Sequence, residues 1–273
     1  MLRTHKKVTV GIVGCGAIGE GVALYIDASL ADRVSLTAIC DADSEKAHAL
    51  QKKLKHVPEV LDAVALCKQV DMIIETASID AARSLLEHAL SFKKNIIIAS
   101  VGSLIESEQI IKRAAERGIT IYAPSGAVCG VDGLGALSMG TIKEITLTTS
   151  KPPQGLRGVA YLKKRRKNLE GLSEPMTVFE GTVKEAIKHF PQNINVAATL
   201  YLASSFKNVV VRIVADPHLK RNTHRVLVTA EQASISTEIQ SIPSAKNPKT
   251  SSLAILSIQY LLKKMFSPLQ IGS

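Results

Sequence analysis

Residues 6–26 read KKVTVGIVGCGAIGEGVALYI and carry glycines at the spacing GxGxxG, at positions 14, 16 and 19. A strand-like apolar run precedes the glycines and a helix-like run follows them. Gly14 permits a tight turn, Gly16 lets the backbone approach a pyrophosphate, and Gly19 lets the helix pack closely on the strand. Such a motif also occurs in turns that bind nothing. The flanking strand and helix favour dinucleotide binding, with the anion at the positive end of the helix. The expected contacts are Gly14, Gly16, Ala17, Ile18 and Gly19.

Asp41 supports the same interpretation. It stands 22 residues after Gly19, at the end of the next apolar run, VSLTAIC. A carboxylate at this point accepts hydrogen bonds from the adenosine ribose hydroxyls and repels a 2′-phosphate. The sequence therefore predicts NAD as the cofactor, with some tolerance of NADP because Lys46 is near enough in sequence to soften that repulsion.

Two patterns of hydrophobicity divide the chain. From residue 7 to about residue 123, apolar runs rich in β-branched residues alternate with amphipathic helical stretches. This alternation predicts a parallel, doubly wound sheet covered on both faces. Beyond the glycine-rich segment 124–140, successive strand-like runs with short connections predict an antiparallel or mixed sheet. The segment 247–265, with Pro248 near its start, predicts a final helix that packs back on the rest of the chain.

Composition narrows the class of protein. The 273 residues are 46% hydrophobic and contain no run long enough to span a membrane, so we expect a cytoplasmic protein with a proper core. The net charge of +10 includes the basic run 163–167, but only 4% of residues are aromatic, which argues against nucleic-acid binding. The four cysteines stand singly, which predicts reduced thiols and no metal site.

Two histidines and one cysteine are candidates for catalysis. His218 and His224 lie in ADPHLKRNTHRVLV, a polar stretch that leads into a strand and could face a cleft between domains. An imidazole with an ordinary pKa near ~6.5 can exchange the proton that accompanies hydride transfer. The pattern favours His224 without excluding His218. Cys129, in SGAVCGVDG, is a rival as a thiolate nucleophile, although a small buried loop residue is the commoner role.

The chain resembles the L-aspartate dehydrogenases, which are related in architecture to homoserine dehydrogenase and dihydrodipicolinate reductase. The matching stretches are VGIVGCGAIG, ETAS at 75–78, IYAPSGAVCGVDGLGAL, FPQNINVAATL, ADPHLKRNTH and PSAKNPKTSSLAILS. The resemblance implies a Rossmann domain in residues 1–124, an α+β substrate and oligomerisation domain in 125–243, and a C-terminal helix in 244–273 that returns to the Rossmann domain. It also implies a homodimer.

The resemblance further implies NAD(P)-dependent oxidation of L-aspartate, a dicarboxylate amino acid, to iminoaspartate. That product hydrolyses to oxaloacetate and ammonia or feeds NAD biosynthesis. His224 takes the position of the catalytic histidine. The further cofactor contacts implied are Ala77, Ser78, Ala127 and Asn195, with Asn193 as a neighbouring alternative to Asn195. Cys129 departs from the small residue expected in its loop.

Three points stay open at this level. The substrate carboxylates need cationic or amide partners, for which the candidates are Arg221, Asn222, Lys249, Thr250 and Ser251. Another dehydrogenase or reductase, of the homoserine or dihydrodipicolinate kind, would keep the same fold with another substrate. A catalytically silent NAD-binding sensor or partner protein would retain the Rossmann half without the activity.

Overall fold

The computed structural model of the chain describes residues 7–165, 168–190, 195–244 and 247–272. These residues form two compact units. The first comprises the residues up to Pro124 together with Ala254–Gln270, and the second comprises Ser125–Leu253 with the last residues from Ile271 on.

The first unit is built on a six-stranded parallel sheet in the order β3-β2-β1-β4-β5-β6. Its strands are β1 (Val8–Val13), β2 (Val34–Cys40), β3 (Glu59–Val60), β4 (Met72–Glu75), β5 (Asn95–Ile98) and β6 (Ile121–Tyr122). All of β4 and the last four residues of β1 are buried because both faces of the sheet are covered, as their apolar runs predict. The predicted doubly wound α/β fold is confirmed, with β3 as a short edge strand that the analysis of the sequence missed.

Helices alternate with these strands. They are α1 (Ala17–Ser29), α2 (Ser44–Gln51), α3 (Ala63–Gln69), α4 (Ile79–Phe92) and α5 (Glu108–Glu116). Side chains cap three of their N-termini: Asp43 for α2, Asp62 for α3 and Ser78 for α4 each accept a hydrogen bond from a first-turn amide. The N-cap residue of α1 is Gly16, which has no side chain to make such a bond. The turn before α1 therefore differs from the turns before α2, α3 and α4, and α5 also lacks a side-chain cap.

The second unit contains a five-stranded mixed sheet in the order β11-β10-β7-β9-β8. The strands are β7 (Ile142–Lys151), β8 (Met176–Thr182), β9 (Val210–Ala215), β10 (Asn222–Ala230) and β11 (Ser234–Ser241). Strands β7 and β9 are parallel, whereas the other neighbours are antiparallel. The helices of this unit are α6 (Val131–Leu137), α7 (Ala160–Lys164), α8 (Val183–His189) and α9 (Asn195–Ser204). The predicted mixed sheet is confirmed, although β8 was not predicted.

The chain ends in a hairpin and a helix. Strands β12 (Pro243–Ser244) and β13 (Asn247–Ser251) pair antiparallel, and α10 (Ser252–Met265) follows. The predicted helix over 247–265 is thus wrong for its first five residues, where Pro248 restricts the residue before it to extended backbone. Within the described ranges, no helix is long and apolar enough to cross a membrane.

Helix α10 completes the core of the first unit. Ile258 and Leu262 are buried in the apolar cluster that also holds Val22 and Ile26 of α1. Gly21 of α1 allows this close approach, because a Cβ placed on it would lie 2.6 Å from Ile255 Cγ2. The Gln259 side-chain amide also donates to the Gly21 carbonyl at 2.9 Å. The last helix therefore supports the helix that follows the glycine turn.

Candidate functional site

Two glycines of the turn after β1 are required by the turn itself. Gly14 has φ +102°, and a Cβ on it would lie 2.6 Å from the Thr76 carbonyl carbon. A Cβ on Gly19 would lie 1.8 Å from the Gly14 carbonyl oxygen, far inside contact distance. The Thr76 hydroxyl donates to that same oxygen at 2.7 Å. Gly14 and Gly19 thus bring the start of α1 against the ends of β1 and β4.

Gly16 differs from both, because nothing within the structure requires a glycine there. Its φ of −73° and ψ of −165° suit any residue. A Cβ on Gly16 meets no described atom within 4 Å. The position faces open space at the N-terminus of α1, where the amides of Ala17 and Ile18 have no acceptor within the helix. The pyrophosphate of a dinucleotide fits such a surface, since it approaches the backbone where a side chain would obstruct it.

Asp41 connects the turn to the end of β2. One carboxylate oxygen accepts the Cys15 amide at 2.6 Å, and the other accepts the Asp43 amide at 2.9 Å. Each oxygen has a second lone pair, so these bonds leave acceptor capacity for a ribose hydroxyl. Lys46, which the sequence suggested as a cation that softens the repulsion of a 2′-phosphate, has its ammonium nitrogen 3.3 Å from a carboxylate oxygen of Asp43. Asp41 thus holds the turn in shape, a role that spacing along the chain does not reveal.

Cys15, inside the turn, is a buried thiol. Burial, with the nearby Asp41 charge, raises its pKa to about 12. The thiol is therefore protonated at neutral pH and is a poor nucleophile.

A buried carboxylate lies at the end of β4, and the sequence analysis did not assign it. Glu75 is fully buried, and burial raises its pKa. Its side chain accepts the Ala77 amide at 2.7 Å, the Ser100 amide at 2.9 Å and the Ser100 hydroxyl at 2.8 Å. These bonds tie together the loops that follow β4 and β5. The available signal was a glutamate that closes the otherwise apolar strand MIIE.

Ala77 and Ser78, both predicted as cofactor contacts, are exposed just after β4. The Ser78 hydroxyl accepts the Ala81 amide at 3.2 Å and so caps α4. Because β4 is the neighbour of β1, these residues share the carboxyl edge of the sheet with the glycine turn. The strand order reverses between β1 and β4, which is where dinucleotides bind in doubly wound sheets.

His224 is the third residue of β10 rather than part of the preceding loop. It is 8% exposed, and its Nδ1 lies 3.0 Å from the Thr149 hydroxyl directly across the β7–β10 pair. Burial, with the nearby charge of Lys151, lowers the pKa of His224 to about 4. The imidazole is therefore neutral at pH 7.

Lys151 is a second ionisable group in this buried region. It ends β7, two residues beyond Thr149 and on the same face of the sheet, and is 8% exposed. Burial lowers its pKa to about 8. A Cβ placed on Gly155 would lie 3.9 Å from both Lys151 Cδ and the Asn222 amide oxygen, so Asn222 lies in the same region. The signal in the sequence was a lysine that continues the two-residue period of buried Leu147 and Thr149.

The other catalytic candidates lie elsewhere. His218 is exposed, with its Nε2 4.0 Å from a carboxylate oxygen of Glu174. Arg221 is also exposed. Cys129 is exposed and not the buried loop residue considered from the sequence. The described residues include no cluster of three or more histidine, cysteine or acidic side chains that could hold a metal ion.

The remaining predicted contacts belong to the second unit. Ala127 is buried in the loop before α6, and Asn195 is the exposed first residue of α9. Ser251 ends β13, and its hydroxyl accepts the Leu253 amide at 3.2 Å. Asn193 and the side chains of Lys249 and Thr250 lie outside the part of the chain that the structure describes.

Comparison with known proteins identifies the family. Profiles described as "Homoserine dehydrogenase, NAD binding domain" and "Aspartate dehydrogenase, C-terminal" match residues 14–124 and 132–265. Among solved structures, the aspartate dehydrogenase of Thermotoga maritima matches with a TM-score of 0.75 at 27% identity, over 98% of this chain and 100% of that one. The L-aspartate dehydrogenase of Methanosarcina mazei is 40% identical over 97% of this chain and 99% of its own length. That of Methanosarcina acetivorans is 42% identical with the same coverage. Since such relatives cover nearly every residue, the chain belongs to the L-aspartate dehydrogenase family.

Proposed function

We propose that the protein oxidises L-aspartate to iminoaspartate with a pyridine nucleotide as the hydride acceptor. Iminoaspartate then takes up water and yields oxaloacetate and ammonia, or serves as a precursor for NAD biosynthesis. The observation that carries the proposal is the 40% identity, over 97% of the chain, to a protein named L-aspartate dehydrogenase. The glycine turn alone would fit many other dehydrogenases.

For the cofactor, we propose NAD in preference to NADP. The turn would hold the pyrophosphate through Gly14, Gly16, Ala17, Ile18 and Gly19. Asp41 would accept the ribose hydroxyls with its remaining lone pairs and would repel a 2′-phosphate. Ala77, Ser78, Ala127 and Asn195 are proposed contacts toward the nicotinamide. The bound nicotinamide supplies one chemical step, acceptance of a hydride from the substrate.

His224 is the proposed catalytic base. Hydride loss from the substrate carbon requires a neutral amine, so the ammonium group must first release a proton. The neutral imidazole can accept that proton at Nε2 if Nδ1 carries the ring hydrogen and donates it to the Thr149 hydroxyl. Their 3.0 Å separation suits this hydrogen bond and would keep Nε2 directed at the substrate.

The activity is tested by mixing the purified protein with NAD and L-aspartate and following the absorbance of the reduced nicotinamide. We expect turnover of L-aspartate and none of homoserine. Turnover of homoserine instead would favour a dehydrogenase of the homoserine type. Bound NAD without turnover of either substrate would favour a catalytically silent protein.

The assignment of the base is tested by comparing two histidine variants. His224→Ala should lower kcat by about 10²–10⁴-fold, the usual contribution of a general base, with little change in NAD affinity. His218→Ala is the matched control, since this exposed imidazole should leave kcat unchanged. Equal losses in both variants, or no loss in His224→Ala, would contradict the assignment.

We also propose that the protein is a homodimer, as the resemblance to its family implies. Light scattering should then give a mass near twice the 29.3 kDa of the chain.

A further inference from the structure

The loops that follow β4 and β5 are joined by one buried side chain. Glu75, the last residue of β4, is fully buried and lies beside Ile98 of β5 in the sheet. One oxygen of its carboxylate accepts the Ala77 amide at 2.7 Å and the Ser100 hydroxyl at 2.8 Å, and the other accepts the Ser100 amide at 2.9 Å. A buried charge is unfavourable unless hydrogen bonds replace its hydration. These bonds therefore couple the burial of Glu75 to the positions of both loops.

The loop after β4 is also held by the glycine turn. The Thr76 hydroxyl donates to the Gly14 carbonyl at 2.7 Å, and a Cβ on Gly14 would lie 2.7 Å from the Ala77 nitrogen. The turn thus positions the start of this loop. Glu75 positions the Ala77 amide and, through Ser100, the loop after β5.

The strand order assigns these two loops to one half of a dinucleotide. A sheet in the order β3-β2-β1-β4-β5-β6 has two halves that each take one mononucleotide, on either side of the point where the order reverses. Asp41, just after β2, belongs to the half that takes adenosine. The loops after β4 and β5 belong to the other half, which takes the nicotinamide nucleotide.

We propose that Glu75 is a positioning residue for the nicotinamide half of the cofactor. This inference rests on the proposed function, because it assumes that the protein binds a pyridine nucleotide. The carboxylate would fix exposed Ala77 and Ser78 in the arrangement that contacts the nicotinamide nucleotide. Glu75 itself would not touch the cofactor, because it is fully buried.

The first test is Glu75→Gln, which keeps the shape of the side chain and removes its charge. Whichever way the glutamine amide turns, its NH2 group faces the backbone amide of Ala77 or that of Ser100, so one of these donors loses its acceptor. We expect the Kd for NADH to rise about tenfold, as for the loss of a hydrogen bond to a charged group. The Kd for ADP should stay within about twofold, because ADP carries only the adenosine and the pyrophosphate. Titration calorimetry measures both constants.

Two further variants are needed for comparison. Asp41→Asn, in the adenosine half, should raise the Kd values for NADH and ADP alike. Glu116→Gln, exposed on α5, should change neither. If Glu75→Gln weakens both nucleotides as Asp41→Asn does, or leaves the Kd for NADH unchanged, the proposal is overturned. If wild-type protein binds no NADH, the proposed function fails instead, so the two failures are distinguishable.

A milder variant covers the case in which Glu75→Gln does not fold. Ser100→Ala removes only the hydroxyl bond to Glu75 and leaves the Ser100 amide in place. The Kd for NADH should rise about two- to tenfold, as for the loss of one hydrogen bond, with the Kd for ADP unchanged. Equal affinity of this variant and wild type for NADH would count against the proposal.

A last test uses the wild-type protein alone. Hydrogen–deuterium exchange is followed by mass spectrometry without nucleotide, with saturating ADP and with saturating NADH. NADH should slow exchange in peptides that contain residues 76–78 and 99–104, whereas ADP should do so mainly in the peptide that contains residues 14–19. Equal protection of the two loops by ADP and NADH, or protection by neither, would overturn the proposal.

Discussion

Alanine at Gly16 should weaken cofactor binding and change the stability of the fold little. Alanine at Gly19, in the same turn, should destabilise the fold. Gly16→Ala adds a methyl group that meets no described atom within 4 Å, at a backbone conformation open to any residue. Gly19→Ala adds one at 1.8 Å from the Gly14 carbonyl oxygen. The two positions are three residues apart, so the comparison separates space reserved for a ligand from space closed by the protein.

The magnitudes follow from these distances. Ordinary contact begins near 3.4 Å, so in Gly19→Ala helix and turn must separate by about 1.6 Å. Such overpacking costs about 1–3 kcal/mol, which lowers the melting temperature of a protein of this size by about 3–10 °C. Alanine is a poorer N-cap than glycine by about 0.5–1 kcal/mol, so Gly16→Ala should lower the melting temperature by no more than about 4 °C. The same 1–3 kcal/mol cost would fall on the pyrophosphate in Gly16→Ala, which weakens NADH binding about 5- to 150-fold.

Thermal unfolding followed by circular dichroism, without nucleotide, gives the first quantity, and titration of NADH fluorescence gives the second. Gly135→Ala in α6 is the matched control, because a Cβ there also meets no described atom within 4 Å. It should leave NADH affinity unchanged. Gly16→Ala that binds NADH within twofold of wild type, or melts as early as Gly19→Ala, would refute the view that this space is kept for the cofactor.

Three further predictions concern polar side chains. Asp41→Ala should weaken NAD more than NADP, because it would remove the proposed ribose acceptor and the proposed repulsion of a 2′-phosphate; an unchanged ratio of the two Kd values would mean that Asp41 does not reach the ribose. Thr149→Val should lower kcat about tenfold by releasing His224 Nδ1, and steady-state kinetics that match wild type would argue against this orienting role. The folded-state pKa of His224 is lowered from 6.5 to about 4, so folding loses stability as pH falls through this range. In urea unfolding at pH 7 and pH 4, His224→Gln should therefore lose less stability on acidification than wild type, by up to about 3 kcal/mol, and parallel losses would count against a neutral buried imidazole.

The elements that local pattern specifies were the ones predicted correctly. Uninterrupted apolar runs such as VTVGIV identify buried parallel strands, and the glycine spacing marks the turn that follows. The short strand β3 was missed because two residues give no period to recognise. At residues 247–251, apolar spacing further along suggested a helix, whereas pairing with β12 produces a strand.

The site was harder to predict because its partners are distant in sequence. The motif identified Asp41, but its bond to the Cys15 amide depends on how β1 and β2 align. Lys151 looked like one lysine among many, and only the register of β7 and β10 places it on the buried face near His224. Sequence motifs thus identify candidate catalytic and binding residues more readily than they identify the neighbouring residues that orient those side chains or shift their pKa values.

The first unit combines residues up to Pro124 with residues from Ala254 on, and this affects how it folds during synthesis on the ribosome. Ile258 and Leu262 of α10 enter the same apolar cluster as α1, yet they are translated more than two hundred residues later. By the time α10 is translated, residues 125–253 have been made in full. Until α10 emerges, the apolar surface of α1 that it covers stays exposed on the nascent chain, where chaperones can bind it or other chains can aggregate with it. A premature stop codon before α10 would therefore damage the half of the enzyme that was translated first.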